Sequence, residues 1–248
     1  MPSYDMNFFI NDCKEIGIEL TDSQVEAFYK YFSMLVDANK NINLTAITEF
    51  NEVCTKHFID SLCFVKLFDN FNNMKESLFE KTLADIGTGA GFPGIPLKIL
   101  LPELKITLID SLEKRINFLN NVINELGLQN INTVHGRVED LAGEDRFREQ
   151  FDYCVARAVA GLPVLCEYCL PFVAKSGYFV AFKSEKAGEE LSISKNALNI
   201  LGGQVEKSVE FILPSSNLMR TLISVKKVEN TPSKYPRRAG VPVKKPLL

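Results

Sequence analysis

The stretch Leu83-Ala84-Asp85-Ile86-Gly87-Thr88-Gly89-Ala90-Gly91-Phe92-Pro93-Gly94 constrains the fold more than any other part of this chain. It reads as a buried strand end running into a glycine-rich turn and then a helix over 95–101. Glycines let the backbone turn sharply and bring N–H groups close to a ligand. As a pattern, Gly89-x-Gly91-x-x-Gly94 satisfies the dinucleotide fingerprint. Two neighbours argue against that use. Asp85 stands two residues before the first glycine, where a dinucleotide site has an apolar strand residue. Pro93 occupies the helix start and removes a donor that a pyrophosphate would use.

Around this loop the chain has two regimes. From Thr82 onward, apolar runs at 83–86, 105–109, 131–135, 153–156, 178–182, 204–212 and 221–228 alternate with helical stretches at 95–101, 112–126, within 139–150, 162–174 and 185–201. Alternation of this kind dictates parallel pairing with right-handed crossovers. No helix fits between the last two runs, so the sheet is expected to finish in an antiparallel pair. The expected fold is α/β, a mostly parallel doubly wound sheet with an antiparallel final strand and an N-terminal helical cap. Domain bounds follow as 1–80 for the cap packed on the main domain, 81–229 for that domain, and 230–248 for an extended basic tail containing four prolines.

In the cap, Thr21 with Gln24 three residues on marks a helix start. Val25, Phe28, Tyr29, Phe32, Leu35 and Val36 then form one apolar face, and 39–45 breaks that helix before a second one over 51–68. No run approaches eighteen apolar residues, and the start lacks a signal-peptide pattern. The six scattered cysteines read as reduced thiols, and the expected compartment is the cytoplasm. A net charge of −3 argues against a general nucleic-acid binder. The charge is unevenly spread, because residues 1–80 hold 13 acids against 6 bases while residues 226–248 hold seven bases against Glu229 alone. From composition alone, that tail reads as a solvated terminus.

Several residues carry candidate chemistry. An acid such as Asp85 suits a ligand bearing an ammonium group, which points to S-adenosyl-L-methionine as cofactor. Asp110 ends the second strand, 23 residues after Gly87, where a carboxylate can accept both hydroxyls of a ribose; the competing use is as a helix cap. Lys114 and Arg115 read as solvated helix charges. Arg137-Val138-Glu139-Asp140 follows the third strand, where a backbone N–H and a nearby acid can flank an adenine, or merely form the acidic first turn of a helix. Arg157 and Lys183 follow the fourth and fifth strands. Buried cations there need anionic or polar partners and would suit a phosphate or a guanine O6, the plainer alternative being an ion pair with an acid such as Glu185. Cys166-x-x-Cys169 lies in an apolar helical run and reads as core, and His57 and His135 are too few and too separate for a metal site.

With these residues in view, the chain resembles the RsmG (GidB, glucose-inhibited division protein B) family of class I (Rossmann-like) S-adenosylmethionine-dependent methyltransferases. The resemblance rests on Asn41-x-Asn43-Leu44-Thr45, His57-Phe58-x-Asp60-Ser61, the segment 85–96, Asp110-Ser111-x-x-Lys114-Arg115, Arg157-Ala158-Val159 and Tyr235-Pro236-Arg237-Arg238-Ala239-Gly240-x-Pro242. It implies methyl transfer to guanine N7 of bacterial small-subunit (16S) ribosomal RNA. The site it implies has Asp85, Gly87, Gly89, Gly91, Phe92, Asp110, Val138, Glu139 and Arg157 on the cofactor. Arg157, Lys183 and Asn43 are then the expected catalytic residues, with Thr45, His57 and Asp60 also on the target side. The expected partner is 16S rRNA or the small ribosomal subunit, with no membrane and no metal, acting as a monomer. The resemblance also turns the basic tail into an RNA contact. Competing readings are a methyltransferase for a small molecule or protein, a non-catalytic assembly factor and, last, a nicotinamide enzyme.

Overall fold

A computed structural model describes residues 4–248. Seven strands form one sheet: β1 (Thr82–Ile86), β2 (Lys105–Asp110), β3 (Ile131–His135), β4 (Phe151–Arg157), β5 (Val173–Lys183), β6 (Gly203–Ile212) and β7 (Met219–Lys227). Their order is β3-β2-β1-β4-β5-β7-β6. The first five strands pair in parallel, and β7 inserts between β5 and β6 antiparallel to both. The expected α/β class and antiparallel finish are what the chain adopts. The chain reverses its strand order between β1 and β4, the place where doubly wound sheets bind ligands.

Side chains alternate between two cores across the sheet. Leu83, Ile106, Leu108, Val155, Val180 and Leu222 belong to one, and Ala84, Ile86, Cys154, Ala156, Ala181 and Ile223 to the other. The first face is covered by α1 (Asn7–Glu15), α2 (Asp22–Ile42), α6 (Gly94–Leu100), α7 (Glu113–Glu125) and the helical run from α3 (Phe50–Val53) to α5 (Phe71–Leu78). The second is covered by α8 (Val138–Leu141), α9 (Leu162–Cys169), α10 (Ala187–Ile193) and α11 (Lys195–Leu201). The N-terminal helices therefore share a core with the glycine-loop helix. All six cysteines are free and buried, Cys166 and Cys169 within the second core.

Local departures from the sequence reading have identifiable causes. The Thr21/Gln24 capping box forms as expected, and Gln24 also donates to Ile99 O, tying α2 to the end of α6. The buried face of α2 is rotated: Tyr31 is fully buried alongside Phe28, Phe32 and Leu35, while Tyr29 is half-buried. The helix continues through Ile42 and stops at Asn43, which takes the left-handed φ of +47°. The second helical run contains a π-helical segment, Cys54–Ile59, then α4 (Asp60–Leu62) and a 3-10 stretch, Cys63–Leu67. Where one helix is expected over 185–201 there are two, and the Ser194 hydroxyl at the break bonds back to Glu190 O at 2.6 Å. The tail is a further correction. It carries a short helix, α12 (Val241–Lys244), and lies docked on the body.

Candidate active site

The glycine loop is closed on itself. The N–H groups of Gly87 and Thr88 both donate to Ile109 O, at 2.9 and 3.1 Å, and Gly89 N–H donates to Asp110 Oδ2 at 3.0 Å. Gly91 and Phe92 N–H bond Thr88 O, and Gly94 N–H donates to Asp85 Oδ2 at 2.8 Å. These amides are spent inside the protein, so the loop has few donors left for a pyrophosphate. Gly87 and Gly91 sit at φ +65° and +106°, which disfavour a side chain. A Cβ on Gly91 would stand 2.8 Å from the Tyr31 hydroxyl, which donates to Ala90 O at 2.6 Å and locks the cap to the loop.

Two cavities open at the carboxyl ends of the strands. The first is lined by Gly87, Asp110, Val138, Glu139, Val159 and Tyr168, among others. Asp110 ends β2 there and receives Gly89 N–H, Leu112 N–H and Arg115 Nη1, the last at 3.2 Å. A carboxylate offers about four lone-pair positions, so one remains for a ligand hydroxyl. Arg115 is thus a partner of Asp110 rather than a solvated charge. A Cβ on Gly87 would stand 2.7 Å from Val159 Cγ2 and fill the cradle between them. A carboxylate, a glycine floor and apolar walls suit a nucleoside.

The second cavity is cationic. Lys56, His57, Asp60, Arg157, Lys183 and Arg220 line it. The Asp60 carboxylate is bonded by Arg157 Nη1 at 2.8 Å and by Arg220 Nε at 3.0 Å, joining the cap, β4 and β7. Arg157 also stacks over the Phe92 ring at 5.0 Å, and His57 stacks on that ring at 4.6 Å. The His57 Nδ1 faces Arg157 Nη2 at 3.4 Å, while its Nε2 lies 2.8 Å from Thr45 Oγ1. Since a guanidinium only donates, Nδ1 is the acceptor and the network assigns the proton to Nε2, which donates to Thr45. Burial, then the Arg157 charge, pushes the His57 pKa down to about 3, so the ring is neutral at pH 7. Lys183 donates to Ala160 O at 3.0 Å and pairs with Glu190 at 2.6 Å, rather than with Glu185.

The Arg157-Ala158-Val159 turn separates the cavities: Arg157 and Ala158 line the cationic one and Val159 the other. Gly87, Asp110, Val138 and Glu139 are gathered in the nucleoside-type cavity as expected. Arg157, which was expected to touch the cofactor, faces the other side. Asp85 is fully buried and lines neither cavity; its Oδ2 takes Thr88 Oγ1 and Gly94 N–H and braces the loop, while its Oδ1 is buried without a partner among the described residues. Burial pushes Asp85 up to about 6 against those two donors. Gly89, Gly91 and Phe92 line neither cavity. Asn43 is exposed, lies outside both cavities and ends α2 in the left-handed conformation. Sequence reasoning missed Arg220, Glu190, Tyr31, Val159 and Tyr168. Tyr31 left a local signal, being one step from the apolar face of α2, and Val159 stood within the Arg157-Ala158-Val159 motif.

Of the tail's bases, Lys227 is fully buried against Glu149 at 3.0 Å and Arg237 is paired with Glu167 at 2.6 Å. Lys234, Arg238, Lys244 and Lys245 remain exposed. Among the described residues, no helix is long and apolar enough to cross a membrane, and no group of His, Cys, Asp or Glu is placed to hold a metal ion.

Known proteins match this architecture at two levels. A mutant 16S rRNA (adenine(1408)-N(1))-methyltransferase from Catenulisporales acidiphilia superposes with a TM-score of 0.51 at 13% identity, covering 64% of this chain and 90% of that one, which shows the fold alone. Sequence relatives reach further. Ribosomal RNA small subunit methyltransferase G of Lachnoclostridium phytofermentans is 50% identical over 244 residues, 98% of each chain. That of a Thermoanaerobacter species is 48% identical over 247 residues, the full length of both. The family model described as GidB, rRNA small subunit methyltransferase G, matches residues 24–219, a span that takes in the glycine loop and every polar side chain lining the cationic cavity except Arg220. With the family model spanning residues 24–219 and relatives about half identical over nearly the whole length, the chain belongs to the GidB family of rRNA small subunit methyltransferases G.

Proposed function

We propose that this chain transfers the methyl group of S-adenosyl-L-methionine to N7 of a guanine in bacterial small-subunit ribosomal RNA. The observation that carries the reading is the Arg157-Ala158-Val159 turn, with a nucleoside-type cavity on one side and a cationic cavity on the other. Asp110 would hold one ribose hydroxyl, Val138 and Glu139 would flank the base, and Gly87 with Val159 would close around the nucleoside. The bound cofactor supplies an electrophilic methyl on a cationic sulfur. Attack of the N7 lone pair on that methyl would form the new N–C bond as the C–S bond breaks toward sulfur, leaving the positive charge on the guanine ring. No proton leaves N7, so no general base is required, in keeping with a His57 that stays neutral and bonded to Thr45. The protein's task is alignment and exclusion of water. Arg157 and Lys183 would address O6 or a neighbouring phosphate, because a donor on N7 would block the reaction. The protein is read as a monomer acting in the cytoplasm, where its ribosomal substrate is found.

The test is transfer of labelled methyl to undermodified small ribosomal subunits, with free rRNA and total protein in parallel and labelled nucleosides identified afterwards. The expected product is 7-methylguanosine. Label in another nucleoside, or only in protein or small molecules, would overturn the substrate assignment.

A further inference from the structure

Glu139 lines the nucleoside cavity, yet its carboxylate is held from outside it. The backbone N–H of Gly240 donates to its Oε1 at 3.1 Å. Gly240 lies 101 positions later in the chain, in the tail. Three anchors bring it there. Arg148 donates to the carbonyls of Thr231 and Tyr235 at 2.8 and 2.9 Å. Thr231 N–H donates to Glu149 at 2.7 Å, the same carboxylate that pairs with buried Lys227. Arg237 bonds fully buried Glu167 on α9 through its backbone N–H at 2.8 Å, Nε at 2.9 Å and Nη2 at 2.6 Å. Gly240 then turns the chain at φ +78° into α12, whose Pro242 is buried.

A buried carboxylate needs its charge-assisted bonds, so Glu167 locks the register of the tail on α9. That register places the Gly240 N–H on Glu139. We propose that the C-terminal segment is a positioning strap for the cofactor cavity, orienting Glu139 through Gly240, so that cofactor affinity depends on the docked tail. The proposal rests on reading this cavity as the S-adenosyl-L-methionine site. It departs from a tail that serves RNA alone, which could be removed without consequence for the cofactor.

The experiment is calorimetric titration of S-adenosyl-L-methionine, without RNA, into the full chain and a chain ending at Arg238. That truncation keeps the Arg148, Glu149 and Glu167 anchors and removes Gly240. The expected result is a Kd about tenfold higher in the shorter chain, the scale of one hydrogen bond to a charged group. In a Glu139→Ala background the same truncation adds less than about twofold, because the strap acts through Glu139. A second measurement needs no truncation: linkage requires that cofactor binding slow amide exchange at Gly240 in the full chain. An unchanged Kd, an equal effect in the Glu139→Ala background, or exchange at Gly240 indifferent to cofactor would overturn the strap. Failure of the full chain to bind cofactor would instead remove the reading of the cavity on which it rests.

Discussion

The two cavities flanking the Arg157-Ala158-Val159 turn are built in different ways. The nucleoside cavity draws most of its lining from successive strand ends, β1, β2 and β3, and from the turns that follow them. Its floor is backbone, held by loop amides bonded to Ile109 O and Asp110. The cationic cavity takes Lys56, His57 and Asp60 from the N-terminal helices, Arg157 from β4, Lys183 from β5 and Arg220 from β7. Its shape depends on side-chain ion pairs across segments far apart in the chain. A cavity of the first kind is rigid because its backbone bonds are local. One of the second kind is only as firm as the charges that balance within it.

The difference predicts opposite failures. The largest effect is expected at Asp60, whose carboxylate holds two arginines while only 5% exposed. Asp60→Ala leaves both guanidiniums without a counter-ion, a loss on the order of 3–5 kcal/mol for a broken buried pair. A melting point lowered by roughly 10 °C follows for a chain of this size, and calorimetry that finds it unmoved would refute the hub role. Asp110→Ala comes next. It removes the ribose acceptor and frees the Gly89 amide, so cofactor Kd rises about 30-fold, or ~2 kcal/mol. Equilibrium titration checks this, and a Kd within twofold of wild type would return Asp110 to a helix cap. Lys183→Ala should spare cofactor binding and slow methyl transfer about tenfold at saturating cofactor, ~1.4 kcal/mol on the barrier. Weakened cofactor binding with normal turnover would erase the division between the cavities.

The last expected effect is a slope with pH. His57 titrates near 3 in the fold against 6.5 as a free side chain, so its neutral form stabilises the protein above that free value and loses the advantage as pH falls. Asp85, raised to about 6 from 3.8, does the reverse, its burial penalty easing as pH falls through the same window. The two slopes oppose one another. His57→Gln removes only the first, so the variant should gain on wild type by about 1.4 kcal/mol per pH unit between about pH 6 and about pH 4. Urea unfolding at several pH values measures the gain, and a pH-independent difference would contradict a buried neutral His57.

Much of this was legible before the fold. Asp85, the glycines and Asp110 lie in one strand–turn–helix unit and at the end of the strand beside it, so local spacing reveals them. Arg157 and Lys183 stood out because a cation after a buried strand needs a partner, although the partner of Lys183 proved to be Glu190. Where side chains sit relative to the cavities was not legible. Asp85 and Phe92 have the identity and spacing of ligand contacts, but spacing does not report which way a side chain faces. Asn43 sits in a distinctive motif whose backbone need, a left-handed helix end, an asparagine satisfies by itself.

The sequence alone determined the α/β class, the parallel order implied by alternating runs, the capping box on α2 and the loop at the switch point. Each is set by periodicity or by short-range backbone geometry. Only the tertiary structure decided that Asp60 joins Arg157 to Arg220, that Tyr31 locks the cap onto the loop, and that the basic tail folds back to Glu139. Those contacts join residues 59 to 160 positions apart, and their energy exists only once packing has excluded water from the charges and dipoles involved.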